Sequence, residues 1–132
     1  VLLTVRVKDP SVRDSHDPRF TEALPLGVTF NEYQGSGPVV FTRHPDNVVD
    51  PQSEDLAEPV SLCQGCTLQV NQPGPNVVSV LGPEGLARVY ASFSVPGDYI
   101  IHARVDNFAA PDSTQNNQCC WTNVYQKITV TP

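Results

Sequence analysis

The chain has no methionine, a single tryptophan, and only eight lysines and arginines against fourteen acids. None of its apolar runs approaches the roughly 18 residues that a membrane helix requires, so no membrane span is expected. The shortage of positive charge leaves a formal charge of -6, a field that repels phosphate backbones and excludes nucleic acid as a favoured partner. A Gly-x-Ser-x-Gly elbow, a His-Glu-x-x-His helix and a phosphate-cradling glycine loop are all missing. The sequence therefore carries no catalytic signature, and a noncatalytic protein without cofactor or metal is expected. It also lacks an Asn-x-Ser/Thr acceptor and a basic-then-apolar leader, and opens directly on a strand pattern, which reads as a mature or excised chain.

What is present points to one folded domain over residues 1–132. The length suits a single core, and with 17% charged and 39% hydrophobic residues the composition is that of a globular protein. Thirteen prolines and eight glycines are scattered without a period, so the chain is turn-rich rather than collagenous or disordered.

Four cysteines fall in two doublets, Cys63-Gln-Gly-Cys66 and Cys119-Cys120. An even number in a small chain indicates disulfides and an oxidising, extracellular or cell-surface location. Bonding Cys119 to its neighbour would close a strained ring, so pairing across the doublets is expected, with either connectivity open. Each bridge would close a loop of about fifty residues and contribute about 3 to 4 kcal/mol through the unfolded state. The rival is a four-thiolate zinc site. It suits the Cys-x-x-Cys spacing, but adjacent cysteines rarely reach one tetrahedron and no second Cys-x-x-Cys follows.

Apolar residues alternate at period two and nowhere hold helical spacing beyond two turns, which predicts an all-β fold. Val1, Leu3, Val5 and Val7 share one face of an opening strand, with Leu2, Thr4, Arg6 and Lys8 on the other. Strands are expected at 26–34 and 39–42, joined hairpin-fashion by Gly35-Ser36-Gly37-Pro38, and residues 43–58 read as a long acidic surface loop. Short strands are expected near 60–62, 67–70 and 77–81. The strongest alternation lies in Ala87, Val89, Ala91, Phe93 and Val95, then Tyr99, Ile101, Ala103 and Val105, about a Pro96-Gly97 turn of type II. Two long antiparallel strands should follow, and residues 122–131 form a closing strand. The sum is an antiparallel β-sandwich of immunoglobulin-like kind, stapled by disulfides.

Tyr99, just after the Pro-Gly turn, sits where a tyrosine corner would bond its hydroxyl to nearby backbone; an ordinary core aromatic with a wet tip is the alternative. Phe93-Ser94-Val95-Pro96-Gly97-Asp98-Tyr99 and Ile128-Thr129-Val130-Thr131 resemble a bacterial immunoglobulin-like or PKD-like module. The chain more closely resembles an uncharacterised group of secreted bacterial proteins whose pattern is Trp-x-x-Tyr-Arg-Gly-Pro-Gly, then Pro-Gly-x-Tyr, then Cys-Cys-Trp-Thr-Asn. Here these read Phe30-Asn31-Glu32-Tyr33-Gln34-Gly35-Ser36-Gly37 and Cys119-Cys120-Trp121-Thr122-Asn123, with departures at Phe30, Gln34 and Ser36. The resemblance runs from about Leu26 to the C-terminus, implies a secreted sandwich, and brings no catalytic residues.

His16 and His44 lie in proline-rich stretches, and His102 is placed on the solvent face of its strand, a surface residue rather than a base or ligand. Asp14, Asp17, Asp46, Asp50, Asp55, Asp106 and Asp112 could supply calcium, but no Asp-x-Asp-x-Asp ladder gathers them, and a solvated acidic surface is expected. Trp121, Tyr125, Phe108 and Tyr33 could form an aromatic strip for sugar rings, although core duty is expected for Trp121.

These readings converge on a noncatalytic extracellular structural module, the subunit of a surface fibre or a repeat of an adhesin-like protein. Val1, Leu3, Val5 and Val7 mark its assembly strand, over residues 1–8, which pairs in its own sheet or is exchanged with a neighbour. Its partners are copies of itself or neighbouring repeats. The alternative is a carbohydrate-binding accessory module that recognises surface glycans.

Overall fold

A computed structural model describes residues 1–10, 16, 26–47, 74–82, 84–107 and 121–132. Seven strands form in chain order: β1 (Leu2–Lys8), β2 (Leu26–Gln34), β3 (Val39–Arg43), β4 (Val77–Val80), β5 (Glu84–Phe93), β6 (Gly97–Asp106) and β7 (Trp121–Val130). They make two antiparallel sheets, one ordered β1-β5-β3 and the other β4-β2-β6-β7, layered as a sandwich. No helix occurs among the described residues. The expected strands at 60–62 and 67–70, and Cys63, Cys66, Cys119 and Cys120 with their disulfides, lie outside the described residues.

Alternation explains why the sheets face each other. On β5, Ala87, Val89 and Ala91 are fully buried, while their neighbours Leu86, Arg88 and Tyr90 turn outward. On β6 the buried members are Tyr99, Ile101 and Ala103. Val7, Leu26, Val28, Phe30, Val78 and Val80 complete the core, with Leu3, Val5, Val39, Phe41, Phe93, Val105 and Ile128 packed around it. Small side chains on the central strand of one sheet and bulky ones on the other let the two layers interdigitate.

Two expected hairpins are corrected. The strands on either side of Gly35-Ser36-Gly37-Pro38 do not pair, because β2 joins β4 and β6 while β3 joins β5. Likewise β5 and β6, on either side of Pro96-Gly97, lie in opposite sheets. Both connections are arches from one layer to the other, and among the described strands only β6 and β7 are consecutive and paired. The physical reason is that period-two burial records which side chains face the core. It is the same whether two successive strands lie side by side or stacked across the core. Gly97 does hold a positive φ, but at 143° rather than near the +80° of a type II turn, and β6 begins at that residue.

Tyr99 locks the second arch. Its side chain is wholly buried, its hydroxyl donates to the Val95 carbonyl at 2.6 Å, and its ring meets Phe93 edge-on at 4.7 Å. The corner-like bond is thus the one formed. Gly35 passes so close that a Cβ there would lie 2.3 Å from Tyr99 Cδ1. Side-chain amides prolong two ladders beyond the strand ends. Buried Asn47 accepts from Arg88 N–H at 3.2 Å and donates back to the Arg88 carbonyl. Asn76 donates to the Phe30 carbonyl at 2.8 Å, and Phe30 N–H donates to the Asn76 carbonyl at 2.9 Å. The stretch after β3 therefore begins as a clasp on β5, not as free surface loop.

Candidate functional site

Among the described residues the sandwich is open along one side. β1 ends one sheet and β7 ends the other, and between them runs a groove of about 240 Å³. Its floor is Phe30, Ile101 and Ala103; its walls are Leu2, Leu3, Thr4 and Val5 from β1, with Val124 and Gln126 from β7. The β6–β7 register places Thr122, Val124, Gln126 and Ile128 opposite Val105, Ala103, Ile101 and Tyr99, on the face turned toward the other sheet. Even so, Val124 is 46% exposed and only Ile128 of these four is half-buried, so the longer sheet overhangs the shorter one.

β1 presents that opening with its backbone as well. Val1 and Ala91 exchange two bonds, Val1 N–H donating to Ala91 O at 2.7 Å and Ala91 N–H to Val1 O at 2.8 Å. In an antiparallel ladder such pairs alternate with pairs that point away from each other. By the β1–β5 register, Leu3, Val5 and Val7 then bond inward to β5, while Leu2, Thr4 and Arg6 turn their N–H and C=O groups to the open edge. Val1, Leu3, Val5 and Val7 fall on the core-facing side, with burial rising from exposed Val1 through half-buried Leu3 and Val5 to buried Val7.

A second feature lies on the outer face of the β4-β2-β6-β7 sheet. Trp121, Asn123, Tyr125 and Lys127 stand in one row on β7, opposite Asp106, Arg104, His102 and Ile100. Core duty for Trp121 is corrected: it is 56% exposed and Tyr125 is 54% exposed. The inward positions of β7 are its even-numbered residues, and Trp121 takes the odd phase, so it projects away from the core. Tyr33, 65% exposed, sits where the β2–β6 register shifts between Glu32 and Gln34, so it is the bulged residue and has no cross-strand partner. Its ring meets that of Tyr125 edge-on at 5.2 Å. His102 stacks on Tyr125 at 5.0 Å, and its Nε2 is hydrogen-bonded to Asn123 Oδ1 at 2.8 Å. It is a surface residue in a polar and aromatic cluster. Phe108 lies outside the described residues.

Charge around this face is compensated. Lys127 and Asp98 pair at 2.8 Å, and Arg104 and Asp106 at 3.2 Å. The Lys127 ammonium, helped by the Thr129 hydroxyl at 2.6 Å, holds the Asp98 carboxyl below the usual carboxylate range. Among the described residues no three His, Cys, Asp or Glu side chains converge on a point that could hold a metal. Asp46 bonds Arg88 at 3.0 Å, and Asp14, Asp17, Asp50, Asp55 and Asp112 lie outside the described residues. No described helix is long and apolar enough to cross a membrane. Compared with protein-family models, curated proteins and solved structures, the chain matches none.

Proposed function

We propose that the chain is a noncatalytic extracellular structural module, an immunoglobulin-like sandwich stapled by disulfides, that assembles through its edge strands into a surface fibre or adhesin-like array. The observation that carries this is the open side, where the outward backbone groups of β1 adjoin an apolar groove. An added strand would find ladder bonds on one flank and seats for alternate apolar side chains beneath it. The occupant is a second copy. β1 bears Arg6 and Lys8 and no acid; Lys8 pairs with Glu84 of β5 at 4.0 Å, so it is Arg6 that offers a positive point to another copy of a chain carrying -6.

The test is sedimentation velocity and electron microscopy of the purified protein at rising concentration. Wild type should grow from monomer to polymer. Thr4→Pro should stay monomeric with an unchanged circular dichroism spectrum, because the amide it removes faces away from β5. Val124→Lys, which charges the groove and leaves both ladders intact, should do the same. Wild-type particles that remain monomeric throughout, or polymers unaffected by both substitutions, would overturn the proposal.

A second reading, glycan recognition, is favoured by the exposure of Trp121 and Tyr125 on a common face. It uses the sheet face rather than the edges, so one molecule can do both.

A further inference from the structure

We infer that the outer face of β7, with Tyr33 of β2, is a binding platform for a neutral oligosaccharide. The inference rests on the second reading above and gives it residues and a ligand class. Along β7 the outward row is aromatic, amide, aromatic: Trp121, Asn123, Tyr125. At about 3.3 Å per residue the two aromatic positions are about 13 Å apart, a span for several linked sugar rings rather than one. A pyranose has an apolar C–H face that lies on an aromatic ring and a rim of hydroxyls that needs donors and acceptors. The row supplies both in alternation.

Two features hold this surface ready. Tyr125 is fixed from two sides, by the stacked His102 imidazole and the edge-on Tyr33 ring. The bond between His102 Nε2 and Asn123 Oδ1 sets the amide of Asn123 beside the aromatic ring, so little side-chain freedom is lost on binding. Tyr33 keeps the outward phase of Asn31 on β2 and meets the cluster from that side.

The ligand is neutral because the cations that border the platform already have counterparts. Lys127 pairs with Asp98 and Arg104 with Asp106, while the Glu32 carboxylate, which accepts from the neutral Val39 N–H at 3.1 Å, adds a negative charge that disfavours an anionic ligand. An anionic glycan would have to displace an existing pair.

Trp121 is the only tryptophan of the chain, so its emission reports on this face alone. The experiment is calorimetric titration of the full chain with cellohexaose, chitohexaose and mannohexaose, with hexagalacturonate as the anionic probe, alongside Trp121 fluorescence. At least one neutral hexasaccharide should give saturable heat and a saturable shift in Trp121 emission. Tyr125→Ala and Tyr33→Ala should each weaken binding about tenfold or more. Val40→Ala, on the opposite sheet, should leave it unchanged. Absence of heat with all three neutral sugars at millimolar concentration overturns both this platform and glycan recognition. Heat that leaves Trp121 silent and survives both tyrosine substitutions overturns the platform alone. Tighter, salt-sensitive binding of hexagalacturonate overturns the neutral ligand.

Discussion

Tyr99 is the residue whose removal should be felt most, and its ring and hydroxyl can be separated experimentally. Tyr99→Phe keeps the buried ring against Phe93 and deletes the 2.6 Å bond to Val95 O. Val95 is 42% exposed, so water can reach its carbonyl, and the cost should be that of one ordinary hydrogen bond, about 1 kcal/mol. Tyr99→Ala also empties the space of a wholly buried aromatic, for about 3 to 5 kcal/mol. For a domain of this size each kcal/mol lowers Tm by about 4 °C. Gly35→Ala approaches the same ring from the other side, and a Cβ at 2.3 Å from Tyr99 Cδ1 is an overpacking cost of about 1 to 3 kcal/mol. In the Tyr99→Ala background that clash has no ring to meet, and what remains is Glu32 Oε1 at 2.5 Å, the far end of a flexible side chain, so most of the Gly35→Ala penalty should vanish. Urea denaturation of wild type, Tyr99→Ala, Gly35→Ala and the double variant gives the cycle directly. Additive penalties, or a Tyr99→Phe variant as damaged as Tyr99→Ala, would refute the account of this arch.

Asn47→Ala should cost about 1 to 3 kcal/mol, since Arg88 N–H on β5 loses its acceptor beneath a buried side chain. Hydrogen exchange at the Arg88 amide, accelerated relative to other β5 amides, would show it. Asp98 should titrate below the ordinary carboxylate range, and Lys127→Met should raise its midpoint toward that range, both read from carboxyl chemical shifts. Because its folded-state pKa is depressed, the contribution of Asp98 to stability is complete above the ordinary carboxylate range and is lost as pH falls through the lowered value.

The strands with one buried face were legible because burial alternates along them, as in Ala87, Val89 and Ala91 on β5 and Tyr99, Ile101 and Ala103 on β6. Their assignment to sheets was not, since Pro96-Gly97 and Gly35-Ser36-Gly37-Pro38 look the same whether they close a hairpin or an arch. The exposure of Trp121 does have a signal in the sequence: with Thr122, Val124 and Gln126 on one face and Asn123 and Lys127 on the other, β7 buries neither face well, as an overhanging edge strand should. The bulge at Tyr33 leaves no mark in a sequence, because the shift is decided by pairing with β6, a strand some seventy residues away. The clasp of Asn47 on Arg88 is equally non-local.

The pairing of β1 with β5 has a kinetic side. Their partnered residues are separated by roughly eighty positions, a long loop to close, and such contacts form late. Until β5 emerges during synthesis, residues 2–8 lack the strand with which they pair in the finished fold. On the edge-strand assembly proposed above, a finished molecule that released its β1 would offer them an identical β5, so the order in which the ladder closes would decide whether a polypeptide seals itself or is stitched to the next.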